Sequence, residues 1–554
     1  MFYRNIFYSL TGGMAAGIYT TNNAEATWYV ANHSDSAIAV AEDTLQVEKF
    51  VSTKARLPHL RYIVQYTGTV SPAHREAGVV SWKDFLLLGD TVDDTALIER
   101  KAYQKPGHCC MLIYTSGTTG NPKAVMLSHD NLTWTASAAL NVLDLHSSDR
   151  IVSYLPLSHV AAQLIDIHLP MYCGASVSFA RPDALKGTLV DTLVEVRPTI
   201  FFGVPRVWEK IEEKMKLIGA SNGVVKQALG SWAKRVGLSG SMARITGDAL
   251  PWGWTLAEKV VFNNIKKALG LDQCRLRATA AAPIARETLE YLMSLDLPLL
   301  EIYGMSESTG PHTINFPHRQ RMFSVGMPFD GAYHKLEHPD KDGNGEICMW
   351  GRHVFMGYMK NEEETRKTIS PEGFLHTGDL GKVDENGFLF ITGRIKELII
   401  TAGGENVAPV LIEDNIKAEL PLISNAMVIG DKRKFLSAIL TLKSDMDAEG
   451  NPTDKLSESA VQWLNANGVQ CTYGQASVRE TLKNEQVLKL VQEGIDRANK
   501  LAISAAQRIN KWSIIPTDFS LASGELTPTL KLKRRVVLDN YADLIASFYV
   551  EAKL

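Results

Sequence analysis

From residue 102 to about residue 400, short apolar runs alternate with segments whose apolar residues recur at helical spacing. That alternation predicts an α/β domain with largely parallel strands, because each strand is followed by a helix that can cover the sheet. Residues 110–114, 151–154 and 199–202 read as strands, and residues 129–142 and 206–218 as helices. Turn-rich text then thickens. Asp342-Gly343-Asn344-Gly345 and Asp384-Glu385-Asn386-Gly387 each separate strand-like runs, so hairpins and a small β-rich subdomain are expected there. After Gly393-Arg394-Ile395-Lys396-Glu397 the texture changes again. Pro409 opens a helix, residues 426–429 and 437–442 read as strands, and residues 485–507 as one long amphipathic helix. Residues 444–457 are expected to form a flexible loop. A chain of 554 residues exceeds what one hydrophobic core sustains. The expected organisation is a large α/β domain with a β-rich subdomain over residues 1–395, then a small, mobile α+β domain over residues 396–554.

Global charge narrows the function classes. A net charge of −3 with 21% charged residues gives no basic surplus for nucleic acid. The six cysteines (Cys109, Cys110, Cys173, Cys274, Cys348 and Cys471) lack CxxC spacing, which argues against a disulfide framework or a zinc site and for a reducing compartment. The apolar residues 6–19 are interrupted by Ser9, Thr11, Gly12 and Gly13, fall short of a bilayer span, and lack a clean cleavage signal. They read as a buried segment.

Chemistry concentrates in Tyr114-Thr115-Ser116-Gly117-Thr118-Thr119-Gly120-Asn121-Pro122-Lys123, directly after a buried-looking strand. Hydroxyls and glycine amides in a loop offer many hydrogen-bond donors to phosphate oxygens, and Lys123 adds positive charge. The loop is not a Walker A motif: two residues separate Gly117 from Gly120, and Ala124 follows the lysine.

This segment resembles the phosphate loop of the adenylate-forming superfamily, which includes acyl-CoA synthetases, luciferases and peptide-synthetase adenylation domains. Further motifs follow in the family's order. Tyr303-Gly304-Met305-Ser306-Glu307-Ser308 resembles the segment whose tyrosine stacks on adenine and whose hydroxyl and glutamate hold phosphate and magnesium. Thr377-Gly378-Asp379 resembles the ribose site, Arg394 the second ribose contact, and Lys396 the interdomain hinge. A single hard carboxylate such as Glu307 suits Mg2+, with waters and phosphates completing its octahedron. Leu526-Thr527-Pro528-Thr529-Leu530-Lys531-Leu532-Lys533-Arg534 resembles the C-terminal loop that carries the catalytic lysine. Lys531 fits the Lys-x-x-Arg spacing with Arg534, while Lys533 competes for the role. A lysine delivered to the α-phosphate stabilises the charge that builds there during carboxylate attack.

The acyl side carries its own resemblance. Gly203-Val204-Pro205-Arg206-Val207-Trp208-Glu209 is similar to a segment of long-chain acyl-CoA synthetases, which makes Trp208 a candidate acyl gate as well as an ordinary core tryptophan. His159, in Leu155-Pro156-Leu157-Ser158-His159, either lines the acyl carboxylate site or is a packed histidine. Residues 399–407 resemble the bubblegum branch of these synthetases. The implied substrates are a fatty acid, ATP and CoA. The chain ends too soon after Lys531 for a carrier domain, so a separate acceptor is expected. A long-chain product favours a cytoplasmic enzyme in peripheral contact with the endoplasmic reticulum or another intracellular membrane.

Three departures stand against the family pattern. The region before Tyr114 looks short for a long-chain synthetase, so an exposed sheet edge and apolar surface are expected. Ala280 occupies a family glycine position, where a positive φ would disfavour a Cβ. Ala124 and Leu530 likewise stand where glycine is usual. A second reading therefore stays open, a regulatory form or pseudoenzyme that binds ATP or acyl chains without turnover, and a third keeps adenylation but uses another acceptor.

Overall fold

The computed structural model describes residues 11–115, 121–316, 319–401, 406–447, 449–502, 504–527 and 530–550. Two sheets form the body of the large domain. A seven-stranded sheet runs in the order Met327–Pro328, Gly310–Ile314, Leu300–Met305, Leu276–Thr279, Ile200–Gly203, Arg150–Ser153, Ser176–Phe179. Its five strands from Leu300–Met305 to Ser176–Phe179 pair in parallel. A four-stranded sheet sets Ala15–Ala16 parallel to Cys109–Thr115, which forms a hairpin with Lys123–Ser128. The expected strands and helices are present, with the helices extended to His129–Leu143 and Pro205–Ala220.

Local chemistry explains the boundaries. The His129–Leu143 helix begins in a reciprocal capping box between Ser128 and Asn131. The Asn131 amide also donates to the Arg352 and Val354 carbonyls, which ties the helix to the strand region ahead of Gly357–Tyr358.

The β-rich subdomain is a four-stranded antiparallel sheet in the order Tyr333–Glu337, Gly345–Trp350, Leu375–Val383, Leu389–Arg394. Both expected hairpins are there. The small domain packs the helices Pro409–Glu419, Glu458–Ala466 and Glu485–Lys500 on the strands Ile423–Ile429, Leu436–Leu442 and Ile509–Ile515. All seven residues of Leu436–Leu442 are buried, as befits a central strand covered on both faces.

Two expectations change here. The helix expected over residues 485–507 ends at Lys500, because the Asn499 side chain exchanges two hydrogen bonds with the Ile509 backbone and turns the chain into a strand. The stretch 444–457 holds a hairpin of Ser444–Met446 and Pro452–Leu456, closed by Asp447 accepting from the Asn451 amide at 2.7 Å. Among the described residues all six cysteines are free and no helix is long and apolar enough to cross a membrane.

Candidate active site

A cavity of about 1920 Å³ runs between the two sheets of the large domain and under the small domain. One end is polar and is built from loops at strand ends, where α/β folds place ligands. The other is apolar, walled by Leu155, Phe179, Leu185, Phe202 and Phe329.

Tyr303 reaches the polar end from the strand Leu300–Met305, which bulges beside Gly304. A Cβ on Gly304 would lie 1.8 Å from the Gly310 carbonyl, so glycine alone permits this close strand approach. The Tyr303 hydroxyl donates to Asp379 Oδ2 at 2.8 Å, and Arg394 Nε donates to Asp379 Oδ1 at 2.6 Å. Strand register sets this second pair, since Asp379 lies directly opposite Arg394. Gly378, at φ +70°, kinks the strand Leu375–Val383 where its pairing register shifts and so sets the direction of Asp379, whose amide is held by Thr377 Oγ1. Burial and the Asp379 carboxylate push the Tyr303 phenol well above its ordinary value.

Glu307 sits on the short 3-10 turn Ser306–Ser308, and its Oε1 accepts from the Tyr358 hydroxyl at 2.7 Å. Burial raises its pKa, while Tyr358, Lys123 and Arg394 favour the ionised form. Gly304, Met305 and Ser306 line the cavity beside it. Ser308 does not. It is fully buried and ties the turn together, donating to Gly310 O and accepting from the Met305 amide, which corrects its expected place among nucleotide contacts.

Thr115 and Lys123 face each other across the hairpin and both line the cavity. Ser116, Gly117, Thr118, Thr119 and Gly120 lie outside the described residues. Asn121 and Pro122 stand off the cavity wall, and the Pro122 carbonyl accepts from Tyr29 at 3.2 Å. Lys123 forms an ion pair with Glu364 and lies 5.0 Å from the Tyr358 ring centre. Nothing in the local sequence marks Glu364 or Tyr358, which arrive from more than 230 residues away.

The small domain contributes Lys531. Its turn is closed by Thr527, whose amide donates to the Lys531 carbonyl and whose hydroxyl accepts from the Lys531 amide. Lys531 lies within the electrostatic reach of Arg394, Asp379, Glu397, Glu307 and His159. Desolvation, then Arg394, lowers its pKa to about 8 against the pull of the three carboxylates. Lys533 instead starts the Arg534–Asn540 helix, its amide bonded to Glu525 O. Arg534 grips Glu413 in a bidentate pair and so anchors the loop within its own domain. Lys396 lines the cavity on the 3-10 turn Ile395–Glu397, where the chain passes to the small domain.

His159 caps the helix Val160–Gln163, accepting from the Ala161 amide through Nδ1 at 3.2 Å. Burial, then the charge of Lys531, lowers its pKa to about 4, so the ring is neutral, and with Nδ1 accepting from Ala161 the proton sits on Nε2.

Trp208 is not on the cavity wall. It is fully buried, its indole N–H donates to the Gly203 and Ala278 carbonyls, and it packs edge-on against Phe201. In this arrangement Trp208 takes the core place of the two the sequence allows, and a swinging motion would have to break both hydrogen bonds and vacate a filled site. The neighbouring residues of the same helix do something unforeseen. Arg206 donates to Ser424 of the small domain, and Glu213 pairs with Lys443 and accepts from Ser459. The Pro205–Ala220 helix is thus the small domain's docking face. The strained backbone also falls one residue later than expected, at Ala281 (φ 77°) rather than Ala280, and again at Leu530 (φ 62°). Ala124 sits in regular strand and is unstrained.

An AMP-binding enzyme family model matches residues 9–359, and the model of the AMP-binding enzyme C-terminal domain matches residues 396–471. The long-chain-fatty-acid–CoA ligase ACSBG2 of Xenopus laevis is 50% identical over 98% of this chain and 74% of its own length. ACSBG1 of Rattus norvegicus is 46% identical over 98% and 75%. Among solved structures, the anthranilate CoA ligase AuaEII in complex with anthranoyl-AMP is similar at a TM-score of 0.66 and 19% identity, covering 97% of this chain and 84% of that one. That likeness establishes the adenylate-forming fold. With the nucleotide cradle and inserted lysine in place, the chain belongs to the AMP-binding enzymes, in the bubblegum (ACSBG) branch of long-chain-fatty-acid–CoA ligases.

Proposed function

We propose that this chain joins a long-chain fatty acid to CoA at the expense of ATP, through an acyl-AMP intermediate. The observation that carries this reading is Lys531, placed by the small domain among Glu307, Asp379 and Arg394 at the head of an apolar channel. A fatty acid carboxylate entering along that channel attacks the α-phosphorus of ATP, and pyrophosphate leaves. Lys531 stabilises charge on the α-phosphate oxygens without transferring a proton. His159 offers its Nε2–H to the acyl carboxylate and holds the attacking oxygen in line. Tyr303 packs against adenine, Asp379 accepts from the ribose hydroxyls, and Arg394 holds that carboxylate in place. Thr115 and Lys123 take the outer phosphates once Lys123 exchanges Glu364 for phosphate oxygen.

Glu307, a buried hard-oxygen donor beside Lys123, fits a magnesium ligand; the ion would neutralise charge on the ATP phosphates. In the second step the CoA thiolate attacks the acyl carbon and AMP leaves. Rotation about Lys396 withdraws Lys531 so that the pantetheine arm can enter. The six unpaired cysteines fit a reducing, cytoplasmic setting, and the amphiphilic product favours peripheral contact with a membrane.

The test is fatty-acid-dependent exchange of labelled pyrophosphate into ATP over a series of chain lengths, with CoA-dependent AMP release measured alongside. Exchange that peaks with long chains and release that requires CoA are expected. ATP binding without exchange would instead support the non-catalytic reading.

A further inference from the structure

On the β-rich sheet, register sets Glu337 opposite Glu346 and Cys348 opposite His376, and Glu346 and Cys348 share a face two residues apart. Each of the four side chains offers one ligand atom, and all four atoms lie within 4.8 Å of one another. We propose that Glu337, Glu346, Cys348 and His376 form a tetrahedral site for a zinc-class divalent cation that braces the ribose-side kink in the strand Leu375–Val383.

The edge lengths argue for coordination. Cys348 Sγ lies 3.5 Å from His376 Nδ1 and 3.7 Å from Glu337 Oε2. His376 Nδ1 lies 3.4 Å from Glu337 Oε2 and 3.1 Å from Glu346 Oε2. Zinc bond lengths to sulfur, nitrogen and oxygen require ligand-to-ligand edges of about 3.3 to 3.7 Å in a tetrahedron; three of these four separations fall in that range, and the His376–Glu346 contact at 3.1 Å is a hydrogen bond that must open slightly to admit the ion. The imidazole, thiolate and carboxylate set also suits zinc better than magnesium or calcium, which prefer oxygen alone.

The remaining oxygens are already used in the way metal sites use an outer layer. Glu337 Oε1 accepts from Lys335 Nζ at 3.1 Å, and Glu346 Oε1 accepts from the Gly378 amide at 3.0 Å, leaving each Oε2 for the cation. On binding, the thiol proton leaves to solvent. One thiolate and two carboxylates around a divalent cation carry a net charge of −1, which Lys335 balances. Glu346 and His376 also line the cavity, giving the ion a route in. Through Gly378 the site braces the strand kink that aims Asp379, and none of its four ligands is among the residues assigned to the nucleotide.

The test uses the full chain, stripped by chelation and free of ATP and magnesium, titrated with Co2+ and then Zn2+. One equivalent of cobalt should give a near-ultraviolet thiolate charge-transfer band with visible bands of tetrahedral cobalt, and zinc should displace it and raise the unfolding temperature. Cys348→Ala should remove the charge-transfer band. Glu337→Gln should keep the band but weaken zinc binding at least tenfold, and it carries the test if the cysteine variant fails to fold. No band in the wild type, a band that persists in Cys348→Ala, or unchanged zinc affinity in Glu337→Gln overturns the proposal.

Discussion

The nucleotide wall and the lysine loop meet in one cavity, yet they are built in opposite ways. Asp379 is held by strand register, by Tyr303 and by Arg394, all from the large domain. Lys531 stands on a turn that includes a leucine in the left-handed region, and it reaches the site only because the small domain docks on the Pro205–Ala220 helix. The first construction is redundant and suits a surface that must hold nucleotide through both steps. The second is strained and long-range, and suits a group needed for one step and removed for the next. The difference teaches that binding and timing are assigned to separate domains here.

The comparison breaks hardest at Lys531. Lys531→Ala should lower the adenylation rate by about 10²–10³-fold, the scale of losing one transition-state charge partner. Thioester formation from preformed acyl-AMP should change little; equal loss in both half-reactions would place Lys531 in the shared wall. A rapid-quench comparison of the two half-reactions decides it.

The pH dependence sharpens the same contrast. Lys531, lowered to about 8 by burial first and Arg394 second, must be protonated to act. Adenylation kcat/KM should therefore fall as pH rises through about 8, approaching tenfold per pH unit, because that parameter reports the free enzyme. Bound ATP adds negative charge, so the fall in kcat should move to higher pH. His159, lowered to about 4, should add no step between pH 5 and 8. pH profiles of both half-reactions check this; an adenylation profile that stays flat to pH 10 would contradict it.

The smallest effect is expected at Leu530. Relieving its positive φ with Leu530→Gly removes roughly 1 kcal/mol of backbone strain. If that strain opposes the lysine-in arrangement, adenylation kcat/KM should rise by about fivefold at most. Stopped-flow pyrophosphate release reads the change, and a fall would mean that the leucine side chain, which lines the cavity, matters more than its backbone.

Legibility followed the range of the interaction. Tyr303, Glu307, Asp379, Arg394 and Lys531 sit in continuous motifs whose neighbours determine their local shape, so residue order alone was enough to nominate them. Ser308 shows the limit: within the same motif, which hydroxyl faces the ligand depends on the turn, and here the turn consumes it. Trp208 shows another, since helical spacing cannot say whether an aromatic points to a core or a channel. The hairpin of Ser444–Met446 and Pro452–Leu456 escaped notice because its strands are mostly half-buried or exposed and lack apolar alternation.

The sequence by itself determined the α/β alternation, the order of the nucleotide motifs and the family, because these depend on propensity, turn chemistry and contiguous residues. Only the tertiary structure decided that Lys123 rests on Glu364, that Glu307 leans on Tyr358, that Arg206 and Glu213 dock the small domain, and that Lys531 is buried within reach of Arg394, Asp379 and Glu307. These pairings join residues from 51 to 246 positions apart or across the two domains. No local pattern encodes them, since they exist only once both cores have packed and fixed the strands and helices that carry them.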